Sequence, residues 1–166
     1  MKHILLLLFF LYSASIHAER QDIELTLRVN VLDSNCTLVS GSQTIDFGEM
    51  YAYIGIDNVP TREAIFRFEQ CKNVKKIKIN FKGNNIDLNN NLIRNRNDDS
   101  SFASGIGVKL FNEKGNIITL KDDISVPVNN NKDSELLLKA KVTSIENETL
   151  SPGILDTSVE LQISYD

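Results

Sequence analysis

Three segments of the chain alternate apolar and polar residues with a period of two, which is the pattern of a strand with one buried face. They are residues 23–31 (IELTLRVNV), 76–81 (KIKINF) and 159–165 (VELQISY). Shorter β-like runs, separated by Gly or Asn residues, lie at 64–70, 106–111, 117–120 and 135–143. The last of these runs also suits a helix. Many short strands at this spacing predict an all-β antiparallel sandwich or barrel.

Two connections between these runs have a composition of their own. Lys114-Gly115 separates the runs at 106–111 and 117–120, which predicts a hairpin. Residues 84–97 contain seven Asn in fourteen positions, and Asn-rich stretches of this length are usually turns. We therefore expect residues 84–97 to form a surface loop.

The first 18 residues have the features of an export signal. Lys2 supplies a positive start, an apolar run follows at 4–11, and residues 16–18 (IHA) offer a cleavage site after Ala18. The run is shorter than the ~20 residues that span a bilayer. A buried N-terminal helix is the alternative interpretation. Cleavage after Ala18 leaves 148 residues, which suggests a single domain.

Composition excludes several kinds of chemistry. Both histidines, His3 and His17, lie in the predicted signal, so the exported chain has no His for Ser-His-Asp or Cys-His catalysis or for a His-ligated zinc site. Two Cys cannot build a four-thiolate site. The net charge of −4 argues against nucleic acid as a partner. We therefore expect no catalytic residue, no metal, no cofactor and no small-molecule substrate.

Cys36 and Cys71 are an even pair in an exported chain, and oxidising compartments form and keep disulfides. We predict one disulfide between them. In the loop-entropy model, a bond over this separation contributes roughly 3–4 kcal/mol. A reactive free thiol is the alternative, but no His is present to activate Cys36.

The first exported strand has five apolar side chains on one face close to a chain terminus. A free strand of that kind would promote aggregation. Residues 22–31 can either pair at the edge of their own domain or pack into another chain by strand addition.

Five segments in chain order resemble the subunits of chaperone–usher fimbriae (type 1/P-type pili). They are 22–32 followed by Cys36-Thr37-Leu38, then 45–48 (IDFG), 66–71 (FRFEQC), 105–110 with 116–118, and a C-terminal segment with Gly153 fourteenth from the end and Tyr165 next to last. The resemblance implies an incomplete immunoglobulin-like Greek-key β-sandwich that lacks its final strand and is completed in trans by a donor strand. It divides the chain into a signal peptide (1–18), a donor-strand extension (19–34) and a pilin domain (35–166).

The resemblance also implies which residues act in assembly. The donor-strand side chains would be Ile23, Leu25, Leu27, Val29 and Val31. The strand at the edge of the groove, where chaperone and donor pair, would include Gly153, Val159, Leu161, Ile163, Tyr165 and Asp166, with the Asp166 terminal carboxylate meeting a basic cleft of the chaperone. The implied partners are a periplasmic chaperone, an outer-membrane usher and neighbouring subunits. The protein would pass through the periplasm to a cell-surface fimbria and contribute to adhesion without being an enzyme.

Three alternatives remain. A self-complete, secreted β-sandwich could act as a carbohydrate-binding adhesin, although sugar stacking favours aromatic residues and these make up 7% of the chain, with no Trp. A hydrolase based on two carboxylates is a second possibility. A terminator of the fimbrial rod is a third, and it would lack a working groove.

One position departs from the family pattern. Pilin extensions usually have Gly at the fourth donor position, which is Val29 here. A branched side chain needs a roomier pocket in the acceptor. We therefore hypothesise a minor pilin that pairs with one dedicated neighbour.

This hypothesis makes Val29 a specificity residue. A Val29→Gly variant should assemble more poorly with its true neighbour than the wild type does, because the larger pocket would be left partly empty. The yield of the joined pair, measured on a denaturing gel without boiling, checks this. Unchanged assembly would contradict the hypothesis.

Overall fold

The computed structural model describes residues 24–31, 36–49, 56, 59–129 and 132–166, with side chains in the first range as far as residue 29. The predicted signal segment, Ile23 and residues 32–35 lie outside the described residues. The strands of the described part are β1 (Glu24–Val31), β2 (Thr37–Leu38), β3 (Ser42–Asp46), β4 (Arg62–Glu69), β5 (Lys76–Lys82), β6 (Ile86–Asp87), β7 (Leu92–Arg94), β8 (Ile106–Phe111), β9 (Ile124–Pro127), β10 (Ser134–Ser144) and β11 (Asp156–Tyr165). The all-β prediction is confirmed.

The strands form two sheets that pack face to face as an immunoglobulin-like sandwich. One sheet has the order β3-β1-β11-β5-β9, and the other has the order β2-β4-β10-β8-β7-β6. Neighbouring strands run antiparallel, with the exception of β1 and β11, which are parallel. The two sheets enclose one hydrophobic core, to which both contribute alternate side chains.

The alternating segments bury the face that their period predicts. In β5, Ile77, Ile79 and Phe81 are buried, while Lys78 and Asn80 between them lie on the opposite face and are half-buried. The run at 135–143 is part of β10 and not a helix, because it pairs with β4 on one side and β8 on the other. The predicted disulfide is present: it joins Cys36, before β2, to Cys71, after β4, and both residues are buried.

Two connections differ from their predictions. Gly115 makes the expected turn, with its N–H donating to the Asn112 carbonyl, but residues 117–120 return with one bridge and no strand. The segment 84–97 is not a plain surface loop, because it contains β6 and β7 and buries Leu92 and Ile93 completely. Its high Asn content predicted a loop, although two of its residues lie in the core.

Ionic contacts fasten this Asn-rich segment to the sandwich. The Arg94 guanidinium donates to Asp87 at 2.9 Å and to both carboxylate oxygens of Glu148 at 2.6 and 2.8 Å. The side-chain and backbone N–H groups of Asn90 also donate to Asp87. These hydrogen bonds, those from Asn90 foremost, lower the pKa of Asp87 to about 2, against an ordinary 3.8.

The low pKa of Asp87 predicts an acid-dependent contribution to stability. A carboxyl whose pKa is lower in the folded state stabilises the fold above its unfolded pKa, and this contribution is lost as the pH falls towards 2. We expect Asp87→Asn to lower the free energy of unfolding by about 1–2 kcal/mol at pH 7, with the difference disappearing near pH 2. Urea unfolding across this pH range measures it.

Asp122→Asn removes one negative charge at an exposed turn and is the matched control. An Asp87→Asn variant with the same loss of stability at pH 2.5 as at pH 7 would contradict the assigned role of the carboxylate.

Candidate functional site

The N-terminal strand fills a groove in the middle of a sheet. β1 lies between β3 and β11 and pairs with both, along five residues of β3 and eight of β11. Its side chains Leu25 and Leu27 are fully buried in the core. Burial of two leucines is worth roughly 3–6 kcal/mol, which is a large share of the stability of an ordinary domain. The groove between β3 and β11 therefore depends on this strand.

The predicted donor positions lie opposite the predicted groove-edge positions. Val159, Leu161 and Ile163 of β11 are buried, and the register places them beside Leu27, Val29 and Val31 respectively. Val29 is half-buried against the core, and its N–H donates to the carbonyl of Gly41. The structure thus brings the two predicted sets together, with Ile23 and the Val31 side chain outside the described residues.

Sequence reasoning missed two parts of the groove. The first is β3, whose Ile45 is buried and lies opposite Leu25. The second is Thr157 of β11, which is buried opposite Leu25. Its hydroxyl donates to the Arg94 carbonyl and accepts from the side-chain amide of Asn85. The period of two that marks Val159, Leu161 and Ile163 also assigns Thr157 to the inward face, and that signal could have found it.

The direction of β1 follows from the length of chain that tethers it. Cys36 is fixed by its disulfide, and its carbonyl accepts a hydrogen bond from the Tyr165 hydroxyl at the end of β11. Five Cα–Cα steps join Val31 to Cys36, and they reach at most about 18 Å.

Reversing the strand in place would move Val31 to the level of Thr157, about 27 Å along β11 from Tyr165. The tether is too short for that. The chain's own strand can therefore enter the groove parallel to β11 but not antiparallel to it.

The C-terminal end of β11 is held by the chain's own basic segment. Amide N–H groups of Lys75 and Lys76 donate to the backbone oxygen of Asp166 at 2.6 and 3.1 Å. Lys78 contacts the Asp166 side chain at 2.7 Å, and this hydrogen bond is the main reason that the pKa of Asp166 is lowered. Burial raises the pKa of Tyr165. The predicted meeting of Asp166 with a chaperone's basic cleft stays a prediction.

Gly153 lies outside the groove. It precedes β11 and has a φ of +153°, where two backbone segments cross closely. A Cβ at this position would lie 2.5 Å from the carbonyl carbon of Phe102 and 2.7 Å from the carbonyl oxygen of Ser101. The fold therefore requires glycine here, and the predicted role of Gly153 in chaperone pairing stays a prediction.

In the part of the chain that the structure describes, no helix is long and apolar enough to cross a membrane. Within those same ranges, no group of three or more His, Cys, Asp and Glu side chains is placed to hold a metal ion.

A sandwich with a central groove that an N-terminal strand fills defines a class of proteins whose fold is finished by an added strand. The family model for fimbrial protein matches residues 23–166, so the chain belongs to the fimbrial protein family. It is a structural subunit of a cell-surface fimbria and not an enzyme, its partners include other pilus subunits, and the alternative of a carbohydrate-binding adhesin is not favoured.

Solved structures agree on the fold. The chain is similar to the P pilus rod subunit PapA, with a TM-score of 0.64 and 12% identity over 80% of this chain and 100% of that one. It is also similar to a subunit from a structure of a chaperone–usher pilus concerned with rod uncoiling, with a TM-score of 0.66 and 12% identity over 82% of this chain and 91% of that one.

The crossing at Gly153 predicts a strong substitution effect. We expect Gly153→Ala to lower the free energy of unfolding by about 2–4 kcal/mol, because the methyl group meets backbone atoms and the φ is unfavourable for alanine. Gly41→Ala is the matched control, since a Cβ there has nothing within 4 Å. Chemical unfolding of the two variants, compared with the wild type, gives both values. Equal stability of the two variants would contradict the close crossing.

Proposed function

We propose that this chain enters its fimbria by donor-strand exchange. A periplasmic chaperone first fills the groove between β3 and β11. At the outer-membrane usher, the N-terminal strand of another subunit then replaces the chaperone. The donor side chains are Ile23, Leu25, Leu27, Val29 and Val31, and the strand that receives them is β11.

The observation that carries this proposal is the position of β1 in the sheet. It is a central strand, so its removal leaves β3 and β11 with unpaired backbone groups and opens the core between them. Any strand that fills the groove gains main-chain hydrogen bonds on both sides together with apolar burial. Exchange of one such strand for another needs no nucleotide, because completion of the fold supplies the free energy.

Because of the short tether, the strand in the groove of the monomer runs in a different direction from a strand supplied by another subunit. The chain's own strand can lie parallel to β11, whereas the last strand of an immunoglobulin-like sandwich runs antiparallel to its neighbour in the same sheet. A strand from a different chain has no tether at Cys36 and can take the antiparallel direction. The filled groove of the monomer is thus a temporary closure that another subunit can replace.

The predicted signal, the disulfide and the C-terminal residues support the proposed route to the cell surface. The predicted signal at 1–18 directs export, and the disulfide requires an oxidising compartment, which the periplasm provides. The C-terminal residues Tyr165 and Asp166 lie at the exposed end of β11, where a chaperone with a basic cleft can contact the carboxylates.

Two versions of the protein test the groove. One begins at residue 33, and the other carries residues 22–32 reattached through a short linker after Asp166. We expect the first to be less stable by at least about 3 kcal/mol, because Leu25 and Leu27 leave the core, and the second to recover that loss or exceed it. Denaturant unfolding under oxidising conditions measures both.

A matched control carries the same reattached segment with Leu25→Asp and Leu27→Asp, which keeps the length but not the apolar side chains. A first version that is already as stable as the second would show a sandwich that is complete on its own, and strand exchange would be abandoned.

A further inference from the structure

We infer that the outer face of the six-stranded sheet is a contact surface on which two copies of this chain pack face to face about a two-fold axis. This sheet has the order β2-β4-β10-β8-β7-β6, and the groove that β1 fills lies in the other sheet. The surface is therefore separate from the site of strand exchange, and the inference does not depend on the proposed function. It stands on an apolar row across this face and on the charges beside that row.

The middle of the apolar row lies on the central strands of the sheet. Alternate residues of β4 and β10 face outward, and among them Ile65 lies directly opposite Leu137. Phe111 of β8 also faces outward; its direct partner on β10 is Lys139, so Leu137 is its diagonal neighbour, within reach of an aromatic ring. All three apolar side chains are half-buried. The complete apolar row consists of Val39, Ile65, Leu137, Phe111 and Ile117.

The two ends of the row are its most exposed parts. Ile117 forms an antiparallel bridge with Phe111, and the N–H of Val39 donates to the carbonyl of Arg67 on β4. Val39 and Ile117 are each 54% exposed. Exposed apolar side chains that lie together and are bordered by charges are typical of protein–protein contacts. The row is thus a candidate contact surface, and the charges beside it identify the partner.

The charges on the two sides of the row are opposite in sign along each central strand. On β4, Arg67 lies on one side of Ile65 and Glu63 lies on the other. On β10, Glu135 lies opposite Arg67, and Lys139 lies opposite Glu63. These residues form ion pairs within the chain, Arg67–Glu135 at 3.4 Å and Lys139–Glu63 at 3.9 Å. Each side of the row therefore has one positive and one negative charge, in reversed order on the two sides.

This reversed order makes the face complementary to itself. In a face-to-face pair with the two-fold axis along the row, each strand lies over the same strand of the second copy and runs in the opposite direction. Arg67 then faces Glu63 of the second copy, and Glu135 faces Lys139 of the second copy. The apolar rows pack together between these charges. A different partner would need the same alternation of charge around an apolar centre, which the chain itself already supplies.

A contact of this kind differs from strand exchange in its geometry. A two-fold contact closes as a dimer, whereas insertion of a strand from one subunit into the next extends a polymer end to end. The two contacts use different sheets, so one does not obstruct the other. In a fimbria that presents this face, the two-fold contact holds two fimbriae side by side.

Sedimentation equilibrium of the exported chain under native conditions tests the contact. We expect a reversible equilibrium between monomer and dimer, in which the dimer separates on a denaturing gel without boiling. Leu137→Asn should weaken dimerisation about tenfold or more, because it removes an apolar side chain from the middle of the row. Leu150→Asn, at an exposed leucine outside the row, is the matched control and should dimerise as the wild type does. A chain that sediments as a monomer at about 1 mM would overturn the inference.

Two charge reversals test the two-fold geometry. Glu63→Lys places a lysine opposite Arg67 of the second copy, and Arg67→Glu places a glutamate opposite Glu63 of the second copy. Each variant alone should therefore dimerise about tenfold more weakly or worse. An equimolar mixture should recover to within about threefold of the wild type, because a Glu63→Lys chain and an Arg67→Glu chain present opposite charges to each other at both places. A mixture that dimerises as weakly as its components would overturn the two-fold geometry.

Lys82→Glu is the matched control for the charge reversals. Like Arg67→Glu, it puts a glutamate opposite a glutamate of the next strand, here Glu160, but it lies on the other sheet. Its dimerisation should equal that of the wild type, and a loss as large as that of Arg67→Glu would overturn the assigned surface. Urea unfolding of all variants separates loss of the contact from loss of the fold. Exposed ion pairs contribute little to stability, so the unfolding midpoints of the charge variants should stay close to that of the wild type.

Discussion

The structure depends on one strand, β1, which is central in its sheet and is the first strand that the structure describes. β1 supplies backbone partners to β3 and β11 and places Leu25 and Leu27 in the core. A central strand is normally fixed by connections at both ends. Here β1 is the first strand that the structure describes, and in the proposed function it is also the strand that is exchanged.

Much of the sandwich could be predicted from the period of two, because strict alternation assigns both the strand and its buried face. The strands β1, β5 and β11 were found in this way, β4, β8 and β10 appeared as shorter β-like runs, and the cysteine count indicated the disulfide. The inward position of Thr157 follows from the same period. The sequence does not show, however, that the Thr157 hydroxyl finds hydrogen-bond partners inside the protein.

Other features could not be predicted because they depend on contacts between distant segments. β6 and β7 bury Leu92 and Ile93 within a segment whose local composition is that of a loop, and tertiary packing overrides that signal. The need for glycine at position 153 arises from a crossing with residues 101–103, far away in sequence. The parallel direction of β1 depends on where Cys36 is fixed, which no local pattern contains.

The disulfide has a consequence for the timing of assembly. With Cys36 bound to Cys71, five Cα–Cα steps limit the reach of the strand. Without the bond, the next anchor is Ser42 at the start of β3, eleven steps from Val31, and the reach becomes about 40 Å. Only non-covalent contacts then oppose this reach, among them the two residue pairs of β2 and the hydrogen bonds at Cys36 and Val39. That length would allow the chain to turn its own strand around and close itself in the immunoglobulin-like direction. Under the proposed strand exchange, oxidation before strand insertion keeps that direction for other subunits, and a late-forming bond would leave subunits closed on themselves.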